Sequence, residues 1–500
     1  MAKNEVKYGA ILSYILIIAN ALYGFIIAPF VMKTIGTSEY GVYKAVGAIT
    51  ASISVLELGI GSTMQRYIAK FNAQKEREKS YNFSAMGFIQ SVVLSVAMFA
   101  VGIVLFFFID DMYAKTFTSR ELYRAKQIFI VLVIYATLHI YENLLFGVAT
   151  GYNKFTFVNS LKIVNLFTKI LLFVVILPFV KNSLAIVLIS LVLEIAVIAI
   201  EYMCIKGKLK HKFKLYKWDN NLFKESFLYT ILLFVQSLIL QFNGNLDNIA
   251  IGAMIGTSSV VVYSFAIQIY NMYEQCATSV SSVILPTVTN KIYAGAKARD
   301  LEDLVVKFGR VQWAVLGCAL FAFLAIGKEF FYLWLGNGFE DCWGLTVILI
   351  IPVTFPLVVN VCLAILKVYN LLKFRTVAMA YSVVLNAIVT FGGISYLGYW
   401  AAAIGTALST IVGSIISLNI YYWKKLNINI FKLYLKISGK ITPCLVVAFL
   451  VVFVLNKFIY GSWITFLAKA LIFVVVYVAL LLLFGLNKTE KQKILGRKGA

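Results

Sequence analysis

Residues Ile35–Ile49 read IGTSEYGVYKAVGAI, and residues Ile255–Ile269 read IGTSSVVVYSFAIQI. Seven of the fifteen positions agree at a constant offset of 220. The agreement begins with an unbroken I-G-T-S and continues at Val42/Val262, Tyr43/Tyr263 and Ile49/Ile269. Apolar composition alone matches Leu and Val by chance; a Gly-Thr-Ser run is harder to obtain that way. The two copies therefore point to an internal duplication, and the chain between them shows its unit length.

That chain is a membrane chain. Of 500 residues, 61% are hydrophobic and 13% charged. The apolar residues gather in blocks of about 20, enough for a helix to cross about 30 Å of hydrocarbon. A transmembrane β-barrel would instead show short alternating segments. The hydropathy predicts fourteen spans, near 9–32, 41–65, 84–109, 127–149, 156–180, 183–204, 226–250, 258–285, 308–327, 343–366, 374–395, 398–422, 440–456 and 463–486.

Basic residues set the orientation. With the N-terminus in the cytoplasm, the loops and tails on that side hold 31 Lys and Arg and the other side holds 8. Such an excess marks the cytoplasmic face, so both termini are expected inside. It also accounts for most of the net charge of +23 without a nucleic-acid partner.

Copy one of the repeat follows span 1 and copy two follows span 7. Six spans separate them, so both face the same side, as in a parallel repeat about an axis along the membrane normal. The expected fold class is an all-α polytopic membrane protein of 14 transmembrane helices. It comprises two six-helix bundles in a parallel pseudo-two-fold repeat, a C-terminal helix pair and a central cavity. The corresponding boundaries are 1–207 for the first bundle, 208–225 for a basic cytoplasmic linker, 226–422 for the second bundle, and 423–500 for helices 13 and 14 with a basic cytoplasmic tail.

Charge near the bilayer centre is costly, so intramembrane polar groups mark cavities or partners. Span 1 carries Asn20. Span 2 carries Lys44, Glu57 and Arg66, and span 4 carries Glu142. Lys162 and Lys169 in span 5, and Glu194 and Glu201 in span 6, are each spaced by seven and share a helical face. Pairing between these two sets is one expectation for them. Gln241, Asn243, Asn245 and Asp247 end span 7; Gln268, Asn271, Glu274 and Gln275 stripe span 8; Arg310 lies in span 9. A hydrated cleft would satisfy these groups. Pro352 and Pro356 in span 10 are expected to kink it.

Several chemistries are excluded. There is no G-x-x-x-x-G-K-[ST], no H-E-x-x-H and no G-x-S-x-G. The six cysteines form no C-x-x-C pair, and His139 and His211 share no ligand spacing, so no metal or other cofactor is expected. The longest outer loop, near 110–126, is too short for a catalytic domain. A gradient-driven transporter rather than an enzyme is what remains.

Two stretches carry a family resemblance: ELGIGSTMQRYIAKFNAQKE (Glu57–Glu76) and NLDNIAIGAMIGTSSVVVYSFAIQI (Asn245–Ile269). Both resemble the polysaccharide-biosynthesis flippases of the multidrug/oligosaccharidyl-lipid/polysaccharide exporter superfamily. The resemblance implies two six-helix bundles around a central cavity. It implies a polyprenyl-diphosphate-linked oligosaccharide as substrate, moved from the cytoplasmic to the outer leaflet by alternating access for O-antigen or capsule export. The setting is then a bacterial or archaeal plasma membrane, the partners membrane lipid and polysaccharide polymerase or export machinery. It further implies cavity cations that hold the diphosphate. By depth, those here are Lys44, Arg66, Lys162, Lys169 and Arg310, with Asn20, Gln241 and Asn271 as polar neighbours. Glu57, Glu142, Asp247 and Glu274 are the carboxylates available for H+ or Na+ coupling. Membrane potential is a sufficient alternative, since moving an anion outward gains about 2.3 kcal/mol per charge per 100 mV. The peptidoglycan-precursor branch has basic residues in span 1, which this chain lacks. A multidrug antiporter of the same superfamily is the rival reading; it needs a carboxylate-centred cavity.

Overall fold

The computed structural model describes residues 2–491 apart from 58, 296, 370, 488 and 489. Side chains are described except at 2–4, 6, 7, 10, 56, 228–233, 235, 236, 239, 240, 242, 243 and 278–286. Among the described residues every regular element is helical. By chain contacts it divides into two compact units, Met1–Val261 and Val262–Ala500.

The first unit contains α1 (Ala2–Leu22), α2 (Ala28–Ile35), α3 (Thr37–Ile53), α4 (Ile60–Ala73), α5 (Arg77–Tyr113), α6 (Ser119–Gly151), α7 (Phe155–Val180), α8 (Ser183–Gly207) and α9 (Asn220–Met254). A π-helical turn at Tyr23–Ile27 joins α1 to α2 as one span. The expected span 41–65 is not one rod. A 3₁₀ turn at Ser54–Glu57 and Gly59 in the left-handed region, at φ 64°, divide it into α3 and α4. α6 is the centre of the unit and packs on α8, α4, α5 and α3. Its start is fixed by a capping box, in which Thr118 accepts from Glu121 N and Glu121 accepts from Thr118 N.

The compact division falls one helix beyond the basic seam expected at 208–225, because α9 packs against α3. The seam itself is held down. Asn82 on α5 donates to Lys217 O at 2.8 Å and accepts from Tyr216 N and Lys217 N. His211 is buried; its ring bonds Tyr152 Oη at 2.9 Å and Ser84 Oγ at 2.8 Å. Burial pushes its pKa down to about 4.

The second unit contains nearly all of α10 (Thr257–Tyr293), then α11 (Glu302–Leu335), α12 (Asp341–Val358), α13 (Asn360–Val368), α14 (Leu372–Leu397), α15 (Trp400–Thr410), α16 (Leu418–Leu426), α17 (Ile430–Ser438), α18 (Ile441–Leu455) and α19 (Trp463–Leu480). Pro352 and Pro356 lie within α12, and the chain breaks just after them, at Val359. α15 and α16 are one span joined by a π-helical segment at Ile411–Ser417.

Helices occupy all fourteen predicted stretches. Ten are long and apolar enough to cross a membrane among the described residues, or eleven if α17 and α18, bent by 52°, count as one. Large apolar side chains such as Phe107, Phe179, Leu171 and Leu467 face outward along them. In water that surface would aggregate; in lipid it is the solvated face. The chain is a multi-pass membrane protein.

The I-G-T-S copies fold alike. In each, a helix ends at or just before Ile, Gly has positive φ (93° at Gly36, 129° at Gly256), and a new helix starts at Thr. Only glycine takes that conformation without strain. The copies also meet. A Cβ on Gly41 would lie 2.3 Å from Thr257 O, so α3 touches the second copy backbone to backbone. Glu121 Oε1 then accepts from Ser38 Oγ at 2.7 Å and from Thr257 Oγ1 at 2.9 Å. Nearby, Thr116 Oγ1 donates to Gly252 O at 2.7 Å, and Glu39 joins Arg124 at 3.4 Å to the start of α8 at Ser183 N, 3.0 Å.

Candidate functional site: a charged interior in the first unit

The break between α3 and α4 places a carboxylate against α6. Gly61 and Gly147 let α4 and α6 approach closely: a Cβ on Gly147 would sit 2.4 Å from Gly61 O. This brings Glu57, in the 3₁₀ turn, within 2.8 Å of Asn143 Nδ2, which donates to it. One turn earlier on α6 stands His139, and beside Asn143 stands Glu142.

These side chains form a cluster with α7 and α8. His139 Nδ1 lies 2.7 Å from Glu194 Oε1 on α8 and 3.5 Å from Glu142 Oε2. Lys162 of α7 reaches Glu142 Oε1 at 3.6 Å and rests 4.2 Å from the Phe146 ring centroid. Lys169, two turns along the same face, lies 6.0 Å from the Phe173 ring centroid. Glu201, two turns beyond Glu194, is fully buried, and neither carboxyl oxygen has a hydrogen-bond partner. Glu142 Oε2 is buried without a hydrogen bond as well.

Four carboxyl groups, two lysines and one imidazole thus line one interior. An unsatisfied buried polar atom is costly, so a site left in this condition is suited to an exchangeable occupant: water, a proton, a cation or an anionic group held by the lysines. His139, Glu142 and Glu194 offer three ligand atoms within 4.8 Å of one another. The Lys162 ammonium already stands against Glu142, so a proton fits the cluster better than a second full cation.

The remaining sequence-predicted residues are placed less uniformly. Lys44 is half-buried, 5.3 Å from the Tyr40 ring centroid. Arg66 is exposed, with its guanidinium 5.9 Å from the Tyr67 ring centroid. Asn20 is exposed and donates to Leu16 O along its own helix. Gln241 is exposed and accepts from Asn245 Nδ2, Asn271 is exposed, and Asp247 is buried. Asn243 lies outside the described side chains. Glu274, in the second unit, is within electrostatic reach of Arg375, near the start of α14. Arg310 is already engaged: it donates to Glu490 at 2.7 and 3.0 Å, to Gly485 O at 2.8 Å and to Lys436 O at 3.4 Å. It ties the C-terminal end to α11.

His139 escapes a search for ligand spacing because its partner Glu194 is 55 residues away. The usable signal was the local pair His139 and Glu142, on one helical face. The expected pairing of Lys162 and Lys169 with Glu194 and Glu201 is replaced, for Lys162, by Glu142.

A family model described as "Polysaccharide biosynthesis protein" matches residues 6–290. That is more than half of the sequence. The chain belongs to the polysaccharide biosynthesis protein family. A "Putative O-antigen transporter" of Salmonella typhi is 21% identical over 411 residues, covering 79% of this chain and 91% of that protein. Among solved structures, the lipid II flippase MurJ in an inward closed conformation superposes with a TM-score of 0.68 at 15% identity, over 94% of this chain and 97% of that one. An inward-facing MATE-family multidrug resistance transporter of the MOP superfamily superposes with a TM-score of 0.67 at 16% identity, over 82% and 95%. These likenesses establish the fold. The family places this membrane protein in polysaccharide biosynthesis, and its named relatives are transporters and flippases rather than enzymes.

Proposed function

We propose that this family member flips a polyprenyl-diphosphate-linked oligosaccharide from the cytoplasmic to the outer leaflet of a bacterial or archaeal plasma membrane, with both termini cytoplasmic. The observation that carries the reading is the incompletely satisfied charged interior among α4, α6, α7 and α8. Drawing a sugar-diphosphate head through hydrocarbon would strip its hydrogen bonds to water and expose its charges. A polar path lined by side chains removes much of that cost while the lipid tail remains in the bilayer. Lys162 and Lys169, with Lys44 and Arg66, are the cations proposed to meet the diphosphate. Arg310 is left out of this set, because its guanidinium is held by Glu490. Glu57, Glu142, Glu194 and Glu201, with His139, are proposed to exchange protons as the head passes.

The test is leaflet accessibility of lipid-linked oligosaccharide in reconstituted vesicles. Protein-dependent transfer between leaflets supports the reading. Vesicles in which the labelled head group stays in its original leaflet, with correctly inserted protein, overturn it. The excess of carboxyls over lysines in the cluster favours one rival, an antiporter of organic cations. Binding of cationic dyes that lipid diphosphates do not displace would establish that rival.

A further inference from the structure

The second unit carries a basic hollow that has no part in the transport role proposed above. It is about 540 Å³ and is lined by Arg299, Lys432, Lys436, Trp423, Asn427 and Asn429, with Glu302 the acidic lining residue. The three cations are exposed. Lys432 and Lys436 sit within residues 423–440, which contain five lysines and no Asp or Glu.

The walls of the hollow belong at a membrane surface. α17 buries Ile430, Leu433 and Ile437 and packs on α11. On its other side Phe431 and Leu435 are 59% and 75% exposed, and Trp423 is 57% exposed. Then the chain bends by 52° into α18, whose mostly apolar length follows. A short amphipathic helix with outward Phe and Leu, basic residues beside them and a Trp at its edge is the pattern of a helix lying in the interface plane. Its apolar residues reach toward acyl chains while its lysines stand at headgroup depth.

A concave site at that depth offers two ammonium groups, a guanidinium and two amide side chains. Its complement is a phosphate carried on a lipid. Arginine and lysine recognise phosphate by charge-assisted hydrogen bonds, and basic pockets beside transmembrane helices hold anionic head groups in this way. We propose that the hollow bounded by Arg299, Lys432 and Lys436 binds lipid-borne phosphate, and that its occupant is the head group of an anionic phospholipid.

The experiment places the full chain in nanodiscs of phosphatidylcholine with phosphatidylglycerol and counts retained lipids by native mass spectrometry. The triple variant Arg299→Gln, Lys432→Gln, Lys436→Gln is compared with Lys208→Gln, Lys212→Gln, Lys214→Gln, which removes equal charge from the linker. The wild type and the linker variant should retain phosphatidylglycerol alike, and the hollow variant should retain about fivefold less. Equal retention by all three, or an equal loss in both variants, overturns the site. Adding polyprenyl diphosphate separates the sources. Retention of polyprenyl diphosphate but not of phosphatidylglycerol at the hollow overturns the phospholipid assignment, and inorganic phosphate should compete with neither.

Discussion

The two units each set a lysine against a buried glutamate, and they treat the pair in opposite ways. In the second unit, Lys469 of α19 is 1% exposed and Glu329 of α11 is 2% exposed. Lys469 Nζ donates to Glu329, to Asn456 Oδ1 at 2.9 Å and to Ile459 O at 2.9 Å, so all three protons are used. Glu329 Oε1 also accepts from Gly461 N at 3.0 Å. In the first unit, Lys162 meets Glu142 at 3.6 Å, Glu142 keeps an oxygen without a hydrogen bond, and Glu201 has two. A closed network holds helices in one arrangement. An open one leaves capacity for something that comes and goes. The pairs differ in the burial of the lysine, half-buried at Lys162 and fully buried at Lys469, and in the count of unmade bonds.

That contrast can be broken most readily at Lys469. Lys469→Met leaves Glu329 buried without its cation and should cost about 3–5 kcal/mol, read as a large drop in the thermal unfolding temperature in detergent. The double variant Lys469→Met, Glu329→Leu should recover most of it. A single variant with near wild-type unfolding would show the pair to be no clamp.

Next in size is the joint between the repeated turns. Glu121→Ala removes an ionised acceptor shared by Ser38 and Thr257 along with a helix cap, a loss of about 1–3 kcal/mol. A cysteine placed at Ser38 should then react faster with an impermeant maleimide. An unchanged rate would mean that the turns are held apart from Glu121.

Lys162→Ala should leave the protein folded and inserted but slow flipping about tenfold, equivalent to about 1.4 kcal/mol; Arg66→Ala should act in the same direction. Transport at wild-type rates with all of Lys44, Arg66, Lys162 and Lys169 replaced would sink the diphosphate role.

Smaller still is the stability effect of Glu201→Leu, within about 1 kcal/mol of wild type, because the carboxyl makes no hydrogen bond to lose. Its transport, by contrast, should lose part of its dependence on pH. Strong destabilisation would put the first cluster in the same class as Lys469–Glu329.

A pH-dependent effect is expected at the linker. His211 is depressed from 6.5 to about 4 when folded, so its neutral form stabilises. That contribution is complete above about pH 6.5 and is lost as pH falls toward 4. Wild type should therefore lose more thermal stability between pH 7 and 5 than His211→Phe does.

Hydropathy made the helical stretches legible, because a helix that crosses a membrane must cover the hydrocarbon thickness whatever it packs against, and ten or eleven among the described residues are long and apolar enough to do so. Breaks inside them were less so. Leu-Glu-Leu-Gly at 56–59 reads as apolar continuation around one acid, and only the left-handed Gly59 shows that the rod ends there. The prolines of α12 gave fair warning of an interruption near Val359. For the charged interior, expected depth in a span singled out Glu57, Glu142, Lys162 and Lys169, which the structure brings near His139 and Glu194, but not their partners. Which carboxylate Lys162 meets depends on how α6 and α7 are rotated, and one sequence does not fix that rotation. Arg310 has the same hydropathic context as the others, yet Glu490, 180 residues later, takes it up.

The contact at Glu121 shows what two similar turns gain by lying in one chain rather than in two identical ones. Identical subunits related by a two-fold present every contact twice, with the same residue from each side. Here the two turns supply different hydroxyls, Ser38 from one and Thr257 from the other, one register apart relative to their glycines. A single carboxylate receives both. Within one chain the two turns need not mirror each other, so substitution at Glu121 alters both sides of their contact in one genetic step.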